Sequence, residues 1–216
     1  MSVTPQRILW YFADPMCSWC WGFAPVISAI RDTHADRVKI ALMLGGLRPG
    51  TTEPMTSNGR EEILHHWRDV HRMTGQPFVF EGALPEGFVY DTEPPSRAVI
   101  AVGEIIPGAV FPYFKSVQEA FYAHGRNVTR PDTLADLAEQ HNIEKAVFLD
   151  RFDSDDIRKK TQTHFEITRQ SGVRGFPTVI LQSGTTGTLL THGYRPLAEL
   201  QPAIDRWLAQ PESRDE

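Results

Sequence analysis

The chain has 216 residues, of which 41% are hydrophobic, enough for one large domain or for a domain with a second one inserted. Its 22 Lys and Arg residues are outnumbered by 27 Asp and Glu residues, which gives a formal net charge of −5. This mild acidity, without any basic run, argues against a general affinity for nucleic acid or for an anionic membrane surface.

The N-terminal sequence MSVTPQRILWYFADP contains one Arg and a short apolar stretch that runs directly into Asp14-Pro15. A secretory signal peptide has a longer apolar region followed by a cleavage site of small residues, and a membrane helix needs about 20 apolar residues. Because neither pattern is present, we expect a cytoplasmic protein with no membrane association. Its cysteines should then rest mainly as thiols.

Apolar runs at 7–13 and 38–44 predict two buried strands. Between them a helix is predicted from Cys17 to about residue 34, with apolar residues at spacings of three. Pro25 lies inside this helix and should kink it, because proline removes a backbone hydrogen bond. A β-α-β crossover of this kind implies that the two strands are parallel.

Six helical patterns follow in the middle of the chain. Asn58 and Glu61 are spaced as a capping box for the first of these helices, and Gly75 should end it. Ser154 is the expected cap of the sixth. We interpret residues 55–170 as an all-helical insertion, because each pattern has an apolar face that must be buried.

The C-terminal part returns to strands. Residues 176–181 and 188–192, joined by the turn sequence SGTTG, predict a β-hairpin, and an amphipathic helix follows at about 196–209. The overall order is therefore β-α-β, helical insertion, β-β-α, which is an α/β arrangement. The predicted units are a main domain formed by 1–54 and 171–210, the inserted helical domain 55–170, and a disordered tail 211–216.

Both cysteines of the chain, Cys17 and Cys20, lie in the segment DPMCSWCWGF. Three explanations are possible: half of a metal site, a redox pair, or coincidence. A structural zinc site needs four Cys or His ligands at characteristic spacings, and those spacings do not occur here. We therefore expect no metal site, and we interpret His65, His66 and His71 as part of a solvated helix face.

The position of the pair at a predicted helix N-terminus favours a redox pair over two ordinary buried cysteines. Unpaired backbone N–H groups and the positive end of the helix dipole stabilise a thiolate there, which predicts that Cys17 is the nucleophile. Cys20 lies one turn further on and is predicted to resolve the mixed disulfide. Trp19 either anchors the surface or offers the substrate an apolar contact, and both interpretations stay open.

The C-x-x-C sequence after a strand, the proline five residues past Cys20 and the order of elements together resemble thioredoxin. The long helical insertion resembles the DsbA type of thioredoxin-fold disulfide oxidoreductase, and the D-P-x-C-x-W-C context resembles its cytosolic, FrnE-like branch. The segment GVRGFPT, residues 172–178, resembles the cis-proline loop of that family. The resemblance spans nearly the whole chain and implies an α/β thioredoxin fold with a large DsbA-like helical insertion.

This resemblance implies a thiol–disulfide oxidoreductase, of the protein disulfide oxidoreductase or isomerase kind, that acts on protein or peptide disulfides. The exposed backbone of Phe176 would pair with an extended substrate peptide, as in strand addition. No bound cofactor is implied, and glutathione or a thioredoxin system would be the redox partner. The site residues implied are the catalytic Cys17 and Cys20 and the substrate-binding Ser18, Trp19, Phe176 and Pro177.

One position departs from the family pattern. Thioredoxin-like enzymes often carry a buried acid on the first strand that helps to deprotonate the second cysteine, and in this chain that position is Tyr11. Asp14 is nearer to the cysteines, but its expected role is to cap the turn. The handling of the Cys20 proton is therefore an open question at this point.

A neighbouring branch of the same fold provides the main alternative. It includes the kappa-class glutathione transferases and the 2-hydroxychromene-2-carboxylate isomerases, which bind glutathione and act on small aromatic molecules. Those proteins have Ser where Cys17 stands and lack the redox pair, so the intact pair favours the oxidoreductase. A non-catalytic interaction module is the third alternative.

Overall fold

The computed structural model describes residues 7–210, so the predicted tail at 211–216 lies outside the described residues. The strands of the described part form one sheet and are β1 (Ile8–Ala13), β2 (Lys39–Leu44), β3 (Thr178–Ser183) and β4 (Thr186–His192). The α-helices of the same part are α1 (Ser18–His34), α2 (Ser57–Thr74), α3 (Glu93–Ile105), α4 (Val110–Tyr122), α5 (Pro131–Glu139), α6 (Lys145–Asp153), α7 (Asp155–Gln170) and α8 (Leu197–Ala209). A short 3₁₀ turn, Pro107–Ala109, separates α3 from α4.

The sheet has the strand order β2-β1-β3-β4. Strand β1 pairs in parallel with β2, and α1 provides the crossover between them, as the sequence predicts. Strands β1 and β3 are antiparallel, and so are β3 and β4. All of the helices α2 to α7 lie between β2 and β3 in the chain, which places the helical insertion where the sequence predicts it.

The start of α2 differs from the prediction. The hydroxyl of Thr56 accepts a hydrogen bond from the Gly59 N–H at 3.1 Å, so Thr56 is the N-cap. The predicted capping box of Asn58 and Glu61 is wrong, because Asn58 already lies inside the first turn. At the other end, Gly75 takes the left-handed conformation (φ 72°) that closes a helix without a Cβ clash.

The insertion packs directly against the elements that flank the cysteine pair. The Trp21 indole of α1 donates to the Pro77 carbonyl at 2.9 Å, and the Gln76 amide donates to the Trp21 carbonyl at 2.8 Å. On the other side, the Thr168 hydroxyl of α7 donates to the carbonyl of Leu44 in β2 at 3.1 Å.

The buried apolar side chains form one continuous cluster that runs from β1 through the insertion to α8. Trp67 of α2 is 1% exposed and belongs to this cluster, with its ring centroid 5.0 Å from that of Tyr122. The insertion therefore shares a core with the sheet, and the boundaries at 54/55 and 170/171 stay predictions. Within residues 7–210, no helix has the length and apolar character needed to cross a membrane.

Candidate active site

The two cysteines lie at the junction of β1 and α1. Cys17 is the N-cap residue of α1, with an extended backbone (φ −94°), and its sulfur accepts a hydrogen bond from the Cys20 N–H at 3.3 Å. Its own N–H donates to the Asp14 carbonyl at 3.1 Å, which closes the turn between strand and helix. The Cys17 sulfur thus occupies the place of the oxygen that usually caps a helix.

The surroundings of the two thiols differ. Cys17 is 6% exposed, whereas Cys20 is completely buried, and no bond joins them. Burial, followed by the neighbouring Cys17, raises the pKa of Cys20 well above its ordinary value. Cys20 therefore rests as a neutral thiol, while Cys17 is the sulfur that a substrate can reach.

The loop before β3 brings a distant part of the chain to Cys17. The Phe176–Pro177 peptide bond is cis, and the Cys17 thiol donates to the Phe176 carbonyl with a sulfur–oxygen distance of 3.5 Å. The Gly193 N–H donates to the Pro177 carbonyl at 2.7 Å, which fixes this loop to the end of β4. The structure therefore places the backbone of Phe176 next to the Cys17 sulfur.

The ring of Phe176 lies on the backbone of Gly45, just after β2. A β-carbon at Gly45 would lie 2.0 Å from the ring, so any other residue there would displace the ring. Next to this contact is a cavity of about 300 Å³. Its lining contains apolar side chains and two arginines, and it includes Leu47, Pro49, Phe165, Arg169, Arg174 and Phe176.

The two residues between the cysteines, Ser18 and Trp19, are both partly exposed. The Trp19 ring centroid lies 6.2 Å from that of Tyr194, which follows the glycine that binds the Pro177 carbonyl. The contact with Tyr194 anchors Trp19, and its remaining exposed area is available to a substrate. Both interpretations of Trp19 are therefore compatible with its position.

Asp14 is completely buried beside the cysteine pair. Its two carboxylate oxygens accept hydrogen bonds from the N–H groups of Met16, at 2.8 Å, and Leu47, at 2.7 Å. Burial raises its pKa from 3.8 to about 6, although these hydrogen bonds oppose the shift. Asp14 caps the turn, as predicted, and it also ties that turn to the loop after β2.

Two buried tyrosines near the pair were not predicted from the sequence. The Tyr90 hydroxyl donates to the Met16 carbonyl at 2.7 Å, and the buried Tyr122 lies beside Tyr90. Tyr90 comes from the irregular segment before α3, where no periodic pattern marks it as buried. The only available signal was an aromatic residue in a segment rich in glycine and proline.

The three histidines of α2, His65, His66 and His71, are exposed, as the sequence predicts. His65 lies 3.6 Å from Asp69, and His66 lies 4.0 Å from Glu62, on the same solvated face. Among the described residues, no three His, Cys, Asp or Glu side chains are grouped so that they could hold a metal ion.

Two thiols held in this way, one accessible and one buried directly behind it, are suited to exchange with disulfides. The fold and the site together therefore define the class of thioredoxin-fold thiol–disulfide oxidoreductases. The profile of the DSBA-like thioredoxin domain family matches residues 8–205, and the chain belongs to this family. The predicted fold class is thereby confirmed, whereas the assignment to the FrnE-like branch stays a prediction.

Solved structures of similar proteins support the same class. A candidate protein disulfide isomerase from Nitrosomonas europaea is 46% identical, with a TM-score of 0.89 over 94% of this chain and 98% of that one. The cytosolic disulfide reductase DsbM from Pseudomonas aeruginosa is 26% identical, with a TM-score of 0.74 over 94% of this chain and 95% of that one. DsbM has also been solved with glutathione.

A more distant relative is the ClpXP adapter protein SpxH of Halalkalibacterium halodurans. It is 22% identical over 176 residues, which represent 80% of this chain. The match spans only 57% of the length of SpxH.

Proposed function

We propose that the protein exchanges thiols with disulfides of proteins or peptides, with Cys17 as the nucleophile and Cys20 as the resolving thiol. The observation that carries the proposal is the 3.5 Å contact between the Cys17 sulfur and the Phe176 carbonyl. It puts the reactive sulfur beside a backbone segment that an extended peptide can bind. We further propose that the protein works in the cytoplasm, as its structural neighbour DsbM does.

The first step is attack by the Cys17 thiolate on one sulfur of the substrate disulfide. The substrate S–S bond breaks, one substrate sulfur leaves as a thiolate that takes up a proton, and Cys17 is left in a mixed disulfide. Cys20 then loses its proton and attacks the Cys17 sulfur, which releases the second substrate thiol. The pair has passed two electrons and two protons to the substrate, and the reverse sequence oxidises a dithiol.

We expect backbone pairing to make a peptide a better substrate than a small disulfide. The Phe176 N–H has no hydrogen-bond acceptor within residues 7–210, and its carbonyl is bound only by the Cys17 thiol. An extended peptide can pair with both groups while its disulfide meets Cys17. The 300 Å³ cavity beside Phe176 has room for a substrate side chain, and Arg169 and Arg174 at its rim favour an acidic one.

When the pair reduces a substrate, its thiols must be regenerated by an external thiol. We propose glutathione or a thioredoxin system for this role, with no cofactor bound permanently to the protein. That DsbM, a structural neighbour, has been solved with glutathione supports glutathione as one of these two candidates. The two candidates are compared by the rate at which glutathione or reduced thioredoxin reduces the oxidised pair. Mass spectrometry measures this rate.

The test is catalysed reduction of insulin by dithiothreitol. The wild-type protein should shorten the lag before insulin precipitates, and Cys17→Ser should behave like a sample without protein. Conjugation of glutathione to a chloronitrobenzene, measured with the same preparation, tests the transferase alternative. Transferase activity without insulin reduction would overturn the proposal.

A further inference from the structure

Tyr11 occupies a fixed position beneath the cysteine pair. It lies in the middle of β1 and is completely buried, with its side chain on the side of the sheet that carries α1 and α4. Its ring centroid is 5.8 Å from that of Phe23 in α1 and 6.2 Å from that of Phe114 in α4. These contacts hold the ring in place, so the direction of its hydroxyl is fixed by packing.

The Tyr11 hydroxyl makes no hydrogen bond of standard length and angle among residues 7–210. A buried polar group in this condition needs an explanation, because leaving it unpaired costs stability. The equally buried thiol of Cys20 lies close enough to this hydroxyl to raise the pKa of Tyr11 both by its charge and as a hydrogen-bond partner. A neutral thiol is a poor acceptor, whereas a thiolate is a strong one.

We propose that the Tyr11 hydroxyl donates a hydrogen bond to the Cys20 sulfur as that sulfur becomes a thiolate, and so speeds the release of the substrate from Cys17. The inference rests on the proposed function, since it concerns the second step of that exchange. Tyr11 thus takes over, as a hydrogen-bond donor, the position where related enzymes carry a buried acid.

The role follows from the protonation states of the two groups. Burial, followed by the two cysteines, raises the pKa of Tyr11 well above its ordinary value, so Tyr11 keeps its proton throughout. It therefore acts as a donor and not as a base. When Cys20 attacks, its proton passes to solvent, the new S–S bond forms with Cys17, and the electron pair of the broken bond leaves on the substrate sulfur, which is then protonated.

The other groups around Cys20 cannot replace this donor. The Asp14 carboxylate and the Cys17 sulfur both disfavour negative charge on Cys20. The Asp14 backbone N–H favours it, but burial outweighs that effect. From the insertion, Tyr90 and Tyr122 interact with Asp14 and Cys17, and Tyr90 already donates to a carbonyl.

The experiment follows the reaction of the reduced protein with Ellman's reagent. Attack by Cys17 releases the first thionitrobenzoate, and attack by Cys20 on the mixed disulfide releases the second, so the two phases report the two steps separately. A hydrogen bond to a charged group changes an ionisation equilibrium by roughly tenfold or more. About half of that change reaches the rate, so Tyr11→Phe should slow the second phase by roughly three- to tenfold and leave the first unchanged.

The pH dependence separates this role from a structural one. In Tyr11→Phe the rise of the second-phase rate with pH should move to higher pH, because a thiolate without its donor forms less readily. The matched control is Tyr113→Phe, which removes a buried hydroxyl that donates to the Leu134 carbonyl at 2.9 Å, away from the cysteines. This control should change the stability of the fold without changing either phase.

A second measurement does not depend on the folding of Tyr11→Phe. Incorporation of 3-fluorotyrosine at all five tyrosines of the wild-type chain makes each hydroxyl a stronger donor, and the second phase should become faster. Two full phases in the wild type, with an unchanged second phase in Tyr11→Phe or no acceleration by fluorotyrosine, would overturn the role of Tyr11 alone. Release of only one equivalent of thionitrobenzoate by the wild type would instead overturn the proposed function.

Discussion

The aromatic ring of Phe176 rests on the backbone of Gly45, at a distance that leaves no room for a β-carbon. This contact joins the loop that holds Pro177 to the end of β2, and it sets the position of the Phe176 backbone beside Cys17. The shape of the proposed peptide-binding surface therefore depends on the absence of a side chain at residue 45.

Gly45→Ala should displace the Phe176 ring and with it the backbone that pairs with the substrate. We expect exchange with a peptide disulfide to slow by roughly tenfold, while exchange with a small disulfide changes much less. The overpacking should also lower the free energy of unfolding by about 1–3 kcal/mol. The matched control is Gly108→Ala, because a β-carbon there meets no atom within 4 Å. Equal slowing of both disulfides would contradict the role of Phe176.

The different burial of the two cysteines predicts which one reacts. Cys17 reaches the surface and Cys20 does not, so a short treatment of the folded, reduced protein with iodoacetamide should modify Cys17 first. In urea both cysteines should react at similar rates. Peptide mass mapping after the short treatment measures the ratio of modified Cys17 to modified Cys20. Modification of Cys20 as fast as Cys17 would show that the roles of the two cysteines are assigned wrongly.

The buried Asp14 predicts a pH-dependent stability. Its pKa is raised from 3.8 to about 6, so between these values the folded protein binds the proton that the unfolded chain has lost. The contribution of Asp14 to the free energy of unfolding is therefore present at low pH and is lost as the pH rises towards 7. A shift of about two pKa units corresponds to a loss of about 3 kcal/mol.

Asp14→Asn removes this titration. The free energy of unfolding of Asp14→Asn minus that of the wild type should increase as the pH rises from 4 to 7. Urea denaturation of both reduced proteins at several pH values measures this difference, in which other titrating groups largely cancel. A difference that stays constant over the range would show that Asp14 titrates at the same pH in the folded and unfolded chains.

The contacts of Arg97 predict that the stability of the insertion depends strongly on this residue. Only 8% of its side chain is exposed; it lies 2.9 Å from Glu93 and donates to the Phe152 carbonyl at 3.1 Å. Because Arg97→Met leaves the half-buried Glu93 carboxylate without this partner, it should lower the free energy of unfolding by about 1–3 kcal/mol. Arg126→Met, which breaks an exposed pair with Asp136, should have a much smaller effect in the same urea titration. Similar losses in both variants would contradict this account.

The sequence predicted the elements of the fold because each one carries its signal locally. Apolar runs mark β1 and β2, and the helix N-terminus at Cys17 follows from the residues around it. Apart from the cap of α2, the missed features involve contacts between distant segments. The Tyr90 hydroxyl donates to the Met16 carbonyl, and the Phe176 ring packs where Gly45 has no side chain. The sequence around each of these residues contains no pattern that identifies its partner. The cap of α2 is a local feature, and there the helix begins one residue after Thr56 and not after the predicted Asn58.

The central claim, that Cys17 exchanges with a peptide disulfide and Cys20 resolves the product, is tested most directly by trapping the intermediate. Reduced Cys20→Ser is mixed with a peptide that contains a disulfide, and the reaction is quenched with acid. The mass of the protein is then measured by mass spectrometry. The account predicts one covalent peptide adduct, mapped to Cys17, while the wild type loses the adduct and gains the Cys17–Cys20 disulfide. Absence of the adduct in folded Cys20→Ser, or an adduct that persists equally in the wild type, would contradict it.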